Sequence, residues 1–276
     1  MKRMIPFLAF AFAIAIWVGP PASAQKKTGG MQCRDNDDYD RGYGHCEIKE
    51  QTLMAGGAIT VDGRQNGGIS VKGWERQDIL VRAKIETRAP TQAEADQLAQ
   101  QVRINTTALN IRAEGPEARD NYGWYVSYEI FVPRRSDLSL TAHNGGISIK
   151  EVSGRIEFTT LNGGVNLVSV GGAVKGNTTN GGVNIVLNGT RWDGEALNVR
   201  TTNGGVNIIM PDSYSAHFET STVNGNVSSD FAINVPRNER GRLPQEISVD
   251  IGSGGPTIRA TTTNGGVRVS RASGGE

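Results

Sequence analysis

Apolar and polar residues alternate in short runs along most of the chain. Residues 58–61, 69–71 and 79–85 follow this pattern, and in residues 124–132 Trp124 and every second residue after it are apolar. A period of two turns successive side chains to opposite faces of the backbone, so these runs predict β-strands with one buried face. The Gly and Asn-Gly pairs between the runs predict tight turns.

One segment follows the period of a helix instead. Thr91 is a suitable N-cap, and Glu94 stands three residues later, which together form a capping box. The apolar residues of this segment then fall on a single helical face: Ala95, Leu98, Ala99 and Val102. The sequence therefore predicts one short helix over residues 91–102.

The most informative pattern is a repeat. Asn-Gly followed by Gly or Asn and then by Ile or Val begins at seven asparagines: Asn66, Asn144, Asn162, Asn180, Asn203, Asn224 and Asn264. The last six are spaced 18, 18, 23, 21 and 40 residues apart, and the interval of 40 reads as two periods with one degenerate copy. Weaker copies at Gly154 and Gly172 halve the period to nine residues. Self-similarity at a period near 20 residues indicates a repeat architecture.

Two folds fit a nine-residue unit of one strand and one turn. An antiparallel meander would use each Asn-Gly as a hairpin turn, whereas a solenoid would stack one coil per full period. The fuller motif, Thr-Thr-(Leu)-Asn-Gly-Gly-Val, recurs at the full period only, which favours coils stacked in register with Thr and Asn ladders. We therefore expect an all-β fold, a parallel and right-handed β-solenoid of six coils. The N-terminal strands and the helix would cap one end.

The two ends of the chain differ from the repeat region. Residues 1–24 have a basic start, an apolar stretch over 7–18 and the small residues Ala22-Ser23-Ala24, which predicts a signal peptide. We expect a protein exported to the periplasm or the cell exterior, with no membrane-spanning segment after cleavage. The predicted organisation is a disulfide-closed polar segment (25–50), an N-terminal β region with the helix (51–134), the solenoid (135–270) and a polar tail (271–276).

The two cysteines, Cys33 and Cys46, stand close together near the predicted mature N-terminus. In an exported protein such a pair predicts a disulfide. The loop between them is acidic, and three of its polar residues together with the residue after Cys46 have the spacing of a calcium-binding loop: Asn36, Asp38, Asp40 and Glu47. Because Arg41 stands where such a loop requires glycine, a solvated acidic loop is favoured over a calcium site.

Composition and charge narrow the function further. The chain has 29 basic and 28 acidic residues, so it lacks the basic excess of a nucleic-acid-binding protein. The three histidines, His45, His143 and His217, are too far apart in sequence to suggest zinc ligands, and no nucleophile or phosphate-loop motif occurs. We therefore predict no catalytic residue, no metal and no cofactor.

One insertion stands out in the repeat region. Trp192, Asp193 and Glu195 lie where one period lengthens to 23 residues. A protruding Trp192 beside two carboxylates would form a platform for a sugar ring, which makes these three residues the candidate binding site. The alternative is that Trp192 folds back over the coil and the two acids are solvated.

Several segments carry a resemblance to a known family. They are Gly-Ile-Ser-Val-Lys-Gly-Trp (68–74), Asp-Ile-Leu-Val (78–81), Ala-Glu-Ala-Asp (93–96), Val-Ser-Tyr-Glu-Ile-Phe-Val-Pro (126–133) and the serial Asn-Gly-Gly-Val motifs. Together they resemble the bacterial "putative adhesin" domain family of unknown function, over about residues 46–269. The resemblance implies an exported β-helix-like fold and transfers no catalytic residue.

These observations predict an exported, non-enzymatic β-solenoid that acts as an adhesin-like or cell-envelope interaction module. Its partner would be an envelope polysaccharide, a protein or a second copy of the chain. Two alternatives stay open at this point: a carbohydrate-binding or carbohydrate-active β-helix protein, and a self-associating envelope scaffold.

Overall fold

The computed structural model describes residues 30–33, 43–117, 119–233, 235–236 and 238–272. The predicted signal peptide and the candidate calcium loop up to residue 42 lie outside these residues. The chain divides into two units, residues 1–30 and 31–276, and the strands and the helix given below belong to the second.

The N-terminal part contains seven strands and a helix among the described residues: β1 (Tyr43–Met54), β2 (Ile59–Asp62), β3 (Ile69–Trp74), β4 (Asp78–Ala89), α1 (Gln92–Gln101), β5 (Arg103–Asn105), β6 (Asn110–Glu114) and β7 (Gly123–Pro133). The central strands are β8 (Leu138–Ala142), β9 (Ile147–Lys150), β10 (Ser153–Thr160), β11 (Val165–Val168), β12 (Gly171–Asn180), β13 (Val183–Val186), β14 (Ala196–Asn203) and β15 (Val206–Met210). The last strands are β16 (Ala216–Asn224), β17 (Val227–Ser229), β18 (Glu246–Ile251), β19 (Thr257–Asn264) and β20 (Val267–Arg271).

The strands form two ten-stranded sheets. Sheet A has the order β1-β4-β7-β3-β9-β11-β13-β15-β20-β17, and sheet B has the order β18-β16-β19-β14-β12-β10-β8-β2-β6-β5. A parallel strand of sheet B and the strand of sheet A that follows it in the chain, such as β10 and β11, make one coil. Equivalent strands of neighbouring coils pair in parallel and in register, as Val165 does with Val183. The fold is therefore a parallel β-solenoid, as the repeat predicts.

The core lies between the two sheets. Along β11 and β13 the residues alternate between buried and half-buried, and the buried ones are Val165, Leu167, Val183 and Ile185. The partner strands in sheet B supply the opposite wall, for example with Ile156 and Phe158 of β10. Burial of these branched and aromatic side chains from water is the main stabilising contribution of each coil.

The order of the coils differs from the predicted sequential stack. The coil formed by β19 and β20 lies between the β14–β15 coil and the earlier β16–β17 coil. Likewise, the β2–β3 coil lies between the β6–β7 coil and the β8–β9 coil. The described strands therefore make eight coils, not six, and parallel stacking begins at Ile59, well before the predicted start at residue 135. Seven of the eight coils share one motif, so the period does not specify which of these coils stacks on which.

Antiparallel strands cover one end of the stack in both sheets and the other end in sheet B. At one end β4 pairs with β7, β1 pairs with β4, and β5 pairs with β6. At the other end β18 pairs with β16, so the interval of 40 residues contains this strand and no degenerate coil. Helix α1 packs on β1 and β4 through Ala95, Leu98 and Ala99, and the Thr91 hydroxyl caps it by accepting from the Glu94 amide at 3.3 Å.

Candidate functional site

The seven repeat asparagines stack into one continuous ladder. In stack order they are Asn66, Asn144, Asn162, Asn180, Asn203, Asn264 and Asn224, and each Nδ2 donates to the Oδ1 of the preceding asparagine at 2.7–2.9 Å. The order of the ladder follows the order of the coils, with Asn264 placed before Asn224. The side chains are exposed, so the ladder fixes the register of the turns more than it adds core stability.

A row of buried threonines holds the same turns from inside. Thr201, for example, is buried, and its hydroxyl donates to the carbonyl oxygen of Gly181 in the neighbouring coil at 2.7 Å. Four other threonines make the same bond to the first glycine of a neighbouring Asn-Gly motif: Thr160, Thr178, Thr222 and Thr262. The repeat motif thus supplies the hydrogen bonds that hold neighbouring coils together at their turns.

The structure contains the Cys33–Cys46 disulfide, with the two Cα atoms 5.7 Å apart. Cys46 lies on β1, so the disulfide ties the segment around Cys33 to the outer strand of sheet A. Among the described residues, no three His, Cys, Asp or Glu side chains are placed to share a metal ion. No helix among them is long and apolar enough to cross a membrane.

Trp192 does not protrude from the coil. Only 2% of its surface is exposed, and its Nε1 donates to the carbonyl oxygen of Gly172 at 2.9 Å. Asp193 and Glu195 are exposed at the surface beside it. The longer period therefore brings the indole back over the coil, and the predicted sugar platform at Trp192 is wrong because the ring is not accessible.

We expect Trp192→Ala to lower the free energy of unfolding by about 3 kcal/mol, because it leaves a cavity and removes the hydrogen bond from the indole to Gly172. Asp193→Ala, one residue away and exposed, is the control and is expected to change it by less than about 0.5 kcal/mol. Urea denaturation followed by circular dichroism measures both. Equal midpoints for Trp192→Ala and the unaltered protein would contradict the buried position.

The outer face of sheet A carries a pair of matching tetrapeptides. Ile-Ser-Val-Lys in β3 and Ile-Ser-Ile-Lys in β9 pair in register, so Ser70 lies beside Ser148 and Lys72 beside Lys150. Both lysine side chains point outward and are exposed. Lys150 lies 3.4 Å from the carboxylate of Glu151, and Lys72 forms no ion pair with any described residue. Like charges opposite each other on adjacent strands are unfavourable, so this is a site where an anion would be stabilised.

An aromatic stack adjoins the lysines on the same face. The rings of Trp74 and Phe131 lie 5.4 Å apart between centroids and 29° from parallel, and the guanidinium of Arg76 lies 4.4 Å from the centre of the Trp74 ring. Phe131 is the register partner of Lys72. Both rings are half-exposed. We call this surface the lysine–aromatic surface, and it consists of Ser70, Lys72, Trp74, Phe131, Ser148 and Lys150.

The sequence pattern does not predict this surface as a site. One feature of the sequence does point to it. Phe131 occupies an outward position of β7, whereas the alternate, inward positions are all buried: Val126, Tyr128, Ile130 and Val132. An aromatic residue on the outer phase of a strand indicates either a covering element or a binding surface. Which strands bring the lysines beside it depends on the coil order, which the sequence does not reveal.

A second polar cluster lies on the outer face of sheet B. His217 of β16 contacts Asp250 through Nδ1 at 2.8 Å, and its Nε2 lies 3.2 Å from the hydroxyl of Ser248. This resembles the hydrogen-bond chain of a serine hydrolase, but the Asp250 side chain is 66% exposed and Glu219 also lies 3.5 Å from Nε2. A hydrolase buries the aspartate and leaves Nε2 to the nucleophile. We attribute the cluster to cross-strand pairing of β16 with β18.

The two stacked sheets, the Asn-Gly-Gly turns and the end strands define a β-solenoid domain with open outer faces. The chain belongs to the Toastrack DUF4097 family, whose model matches residues 57–270. No curated protein matches the chain.

Several solved structures are similar to it at low identity. A "putative cell adhesion protein" from Clostridium sporogenes is 12% identical, with 82% of this chain and 100% of that chain covered and a TM-score of 0.39. A "putative adhesin" from Bacteroides fragilis is 10% identical, with 82% and 97% covered and a TM-score of 0.32. A "putative lipid binding protein" from Parabacteroides distasonis is 9% identical, with 84% and 98% covered and a TM-score of 0.34.

Proposed function

We propose that this protein is an exported, non-enzymatic interaction module that binds an acidic polysaccharide of the cell envelope through its lysine–aromatic surface. The observation that carries the proposal is the in-register pair Lys72 and Lys150 beside the half-exposed Trp74–Phe131 stack. A carboxylated sugar between the two ammonium groups would relieve their repulsion.

The aromatic rings favour a sugar polymer over a simple anion. An exposed indole or phenyl face binds the apolar side of a pyranose ring, while polar groups around it orient the hydroxyls. Trp74 is held in place because its Nε1 donates to the carbonyl oxygen of Asp78 at 2.9 Å, and Arg76 is held by an ion pair with Asp78. The hydroxyls of Ser70 and Ser148 continue the surface along the two strands.

The shape of the face suits an extended ligand. Equivalent outward positions on parallel strands repeat every 4.7–4.9 Å across the sheet, close to the length of one sugar unit. The outward positions two residues before the lysines form a second row, in which Ser70 and Ser148 are followed by Asn166, Asn184 and Asn207, and the three asparagines bond to each other at 2.8 and 2.9 Å. A polymer that crosses the strands at the two cations would thus have this row of hydroxyls and amides alongside it.

Self-association by end-to-end stacking is less well supported. Such stacking would pair coils of two copies in parallel, but β4 and β1 cover one end of sheet A and β5 covers sheet B there. At the other end β18 covers sheet B, and the three-residue strand β17 is the edge of sheet A. Sedimentation velocity across a range of concentrations tests this alternative, and concentration-dependent growth of the particle would support the scaffold.

The test is native affinity electrophoresis of the mature protein in gels that contain polygalacturonate, alginate or neutral dextran. We expect retardation by the acidic polymers only, and the double variant Lys72→Gln/Lys150→Gln to weaken it about tenfold. The matched control is Lys175→Gln, an exposed lysine on sheet B, which leaves retardation unchanged. Added salt weakens the binding, because the charges are exposed.

Two results would overturn the proposal. One is equal retardation in acidic, neutral and polymer-free gels. The other is co-flotation with vesicles of phosphatidylcholine and phosphatidylglycerol without retention by any polysaccharide, which would indicate a membrane ligand instead. The non-enzymatic part has its own check: incubation with each polymer leaves its chain length unchanged, and shortening of the polymer would contradict it.

A further inference from the structure

A cavity of 390 Å³ lies at the N-terminal end of the asparagine ladder. Its walls come from the turns before β3 and before β9, from the end of β6 with the segment 115–117 that follows it, and from the first half of β7. None of these residues belongs to the lysine–aromatic surface, which lies at the other ends of β3 and β7.

The cavity exists because the stacking of turns stops here. In the neighbouring coils each Asn-Gly-Gly turn packs on another such turn, whereas the β6–β7 coil connects its two strands through residues 115–122, which lack the motif. Asn66 is therefore the last amide of the ladder. Its Oδ1 accepts from Asn144 at 2.9 Å, and its Nδ2 has no partner among the described residues.

A buried hydroxyl without a partner lines the cavity. Tyr128 is 1% exposed, and its Oη forms no hydrogen bond with any residue that the structure describes. Burial raises the pKa of this phenol well above its ordinary value, so the hydroxyl is neutral and is able both to donate and to accept. A buried polar group without a partner is costly to the folded protein, and a ligand hydroxyl in the cavity would satisfy it.

The remaining walls supply an aromatic face and further polar groups. Trp124 is fixed because its Nε1 donates to the carbonyl oxygen of Pro116 at 2.8 Å, and Gly115 allows the ring to lie against the backbone, where a Cβ would sit 2.8 Å from it. Arg64 and Glu117 bring one positive and one negative charge. Arg64 has a left-handed backbone (φ 53°), and its amide donates to Asp62 at 2.8 Å.

We propose that this cavity binds one neutral hexose, either free or at the end of a glycan. The chemistry matches, because a sugar ring needs an aromatic face for its C–H side and mixed donors and acceptors for its hydroxyls. Tyr128, Asn66 and Arg64 offer these polar groups at one cavity. Arg64 and Glu117 give the cavity one positive and one negative charge, so a charged group on the sugar is not required. The volume lies at the lower end of the range for small-molecule sites.

The experiment uses Tyr128→Phe, which removes the Oη atom and keeps the ring. Binding of D-glucose, D-galactose and N-acetyl-D-glucosamine to the mature protein is measured by titration calorimetry and by saturation-transfer NMR. We expect saturable binding of at least one sugar, weakened about tenfold by Tyr128→Phe. The matched control is Tyr214→Phe, a second tyrosine that is 2% exposed but does not line this cavity, and this variant binds as the unaltered protein does.

Thermal unfolding without sugar separates a binding role from a structural one. If the hydroxyl serves a ligand, Tyr128→Phe unfolds at the same or a higher temperature than the unaltered protein, because an unpartnered buried group is lost. Lower thermal stability together with unchanged sugar binding would show a structural hydroxyl and overturn the proposal, as would no saturable binding of the three sugars. Neither result bears on the acidic-polysaccharide proposal, because that proposal is tested by affinity electrophoresis of the lysine variants with other ligands.

Discussion

Gly181→Ala is expected to lower the free energy of unfolding by about 4 kcal/mol or more, or to prevent folding. Gly181 is the first glycine of an Asn-Gly-Gly turn, and a Cβ built there would lie 2.2 Å from the carbonyl oxygen of Gly163 in the neighbouring coil. That oxygen also accepts the hydroxyl of Thr178 at 2.8 Å. Because coils stack on both sides, neither backbone has room to move away.

The adjacent glycine is the matched control. At Gly182 a Cβ would lie 3.4 Å from the oxygen of Gly205, which is ordinary contact, so Gly182→Ala is expected to cost about 1 kcal/mol or less. Denaturant unfolding of the two variants measures the effect. A similar loss of stability in both variants would mean that the coils are less closely stacked than in the structure.

Removal of residues 256–276 is expected to unfold far more than the last coil. β19 and β20 lie between the β14–β15 coil and the β16–β17 coil, so their loss separates β16, β17 and β18 from the rest of the stack. We expect residues 213–255 to lose protection from amide hydrogen exchange and to become sensitive to protease. In a sequential solenoid the same truncation would remove only the terminal coil and leave these residues protected.

A matched deletion removes residues 213–255 and joins Asp212 to Pro256. The β15 and β19 strands already belong to neighbouring coils, and the shortened connection of three residues, 211, 212 and 256, is comparable in length to residues 169 and 170, which link β11 to β12. This shorter protein should stay folded with protected β14, β15, β19 and β20. A folded truncation together with an unfolded deletion variant would contradict the coil order.

The local features of this fold can be predicted from the sequence. Each coil needs a turn asparagine, a glycine without room for a Cβ, and alternating apolar residues, so the repeat predicts strands, turns and parallel stacking. The helix was also predictable, because Thr91 and Glu94 act locally at its N-terminus. These features depend on neighbours within a few residues or on the coil period.

The order of coils and the sites depend on contacts that the period does not encode. The copies around Asn224 and Asn264 carry similar motifs, so either could stack on the β14–β15 coil, and only tertiary packing places Asn264 next to Asn203. The lysine–aromatic surface and the cavity at Tyr128 both arise where β3 meets β7, two strands distant in sequence. The position of Trp192 could not be predicted either, because an isolated Trp in an insertion is compatible both with an exposed platform and with a buried side chain that covers the coil.

The most direct test of the account is lysine acetylation footprinting of the mature protein with and without polygalacturonate, read by mass spectrometry. The account predicts that Lys72 and Lys150 become protected by the polymer, while Lys175 on sheet B reacts at the same rate in both samples. Equal protection of all three lysines, or protection of Lys175 alone, would contradict binding at the lysine–aromatic surface of sheet A.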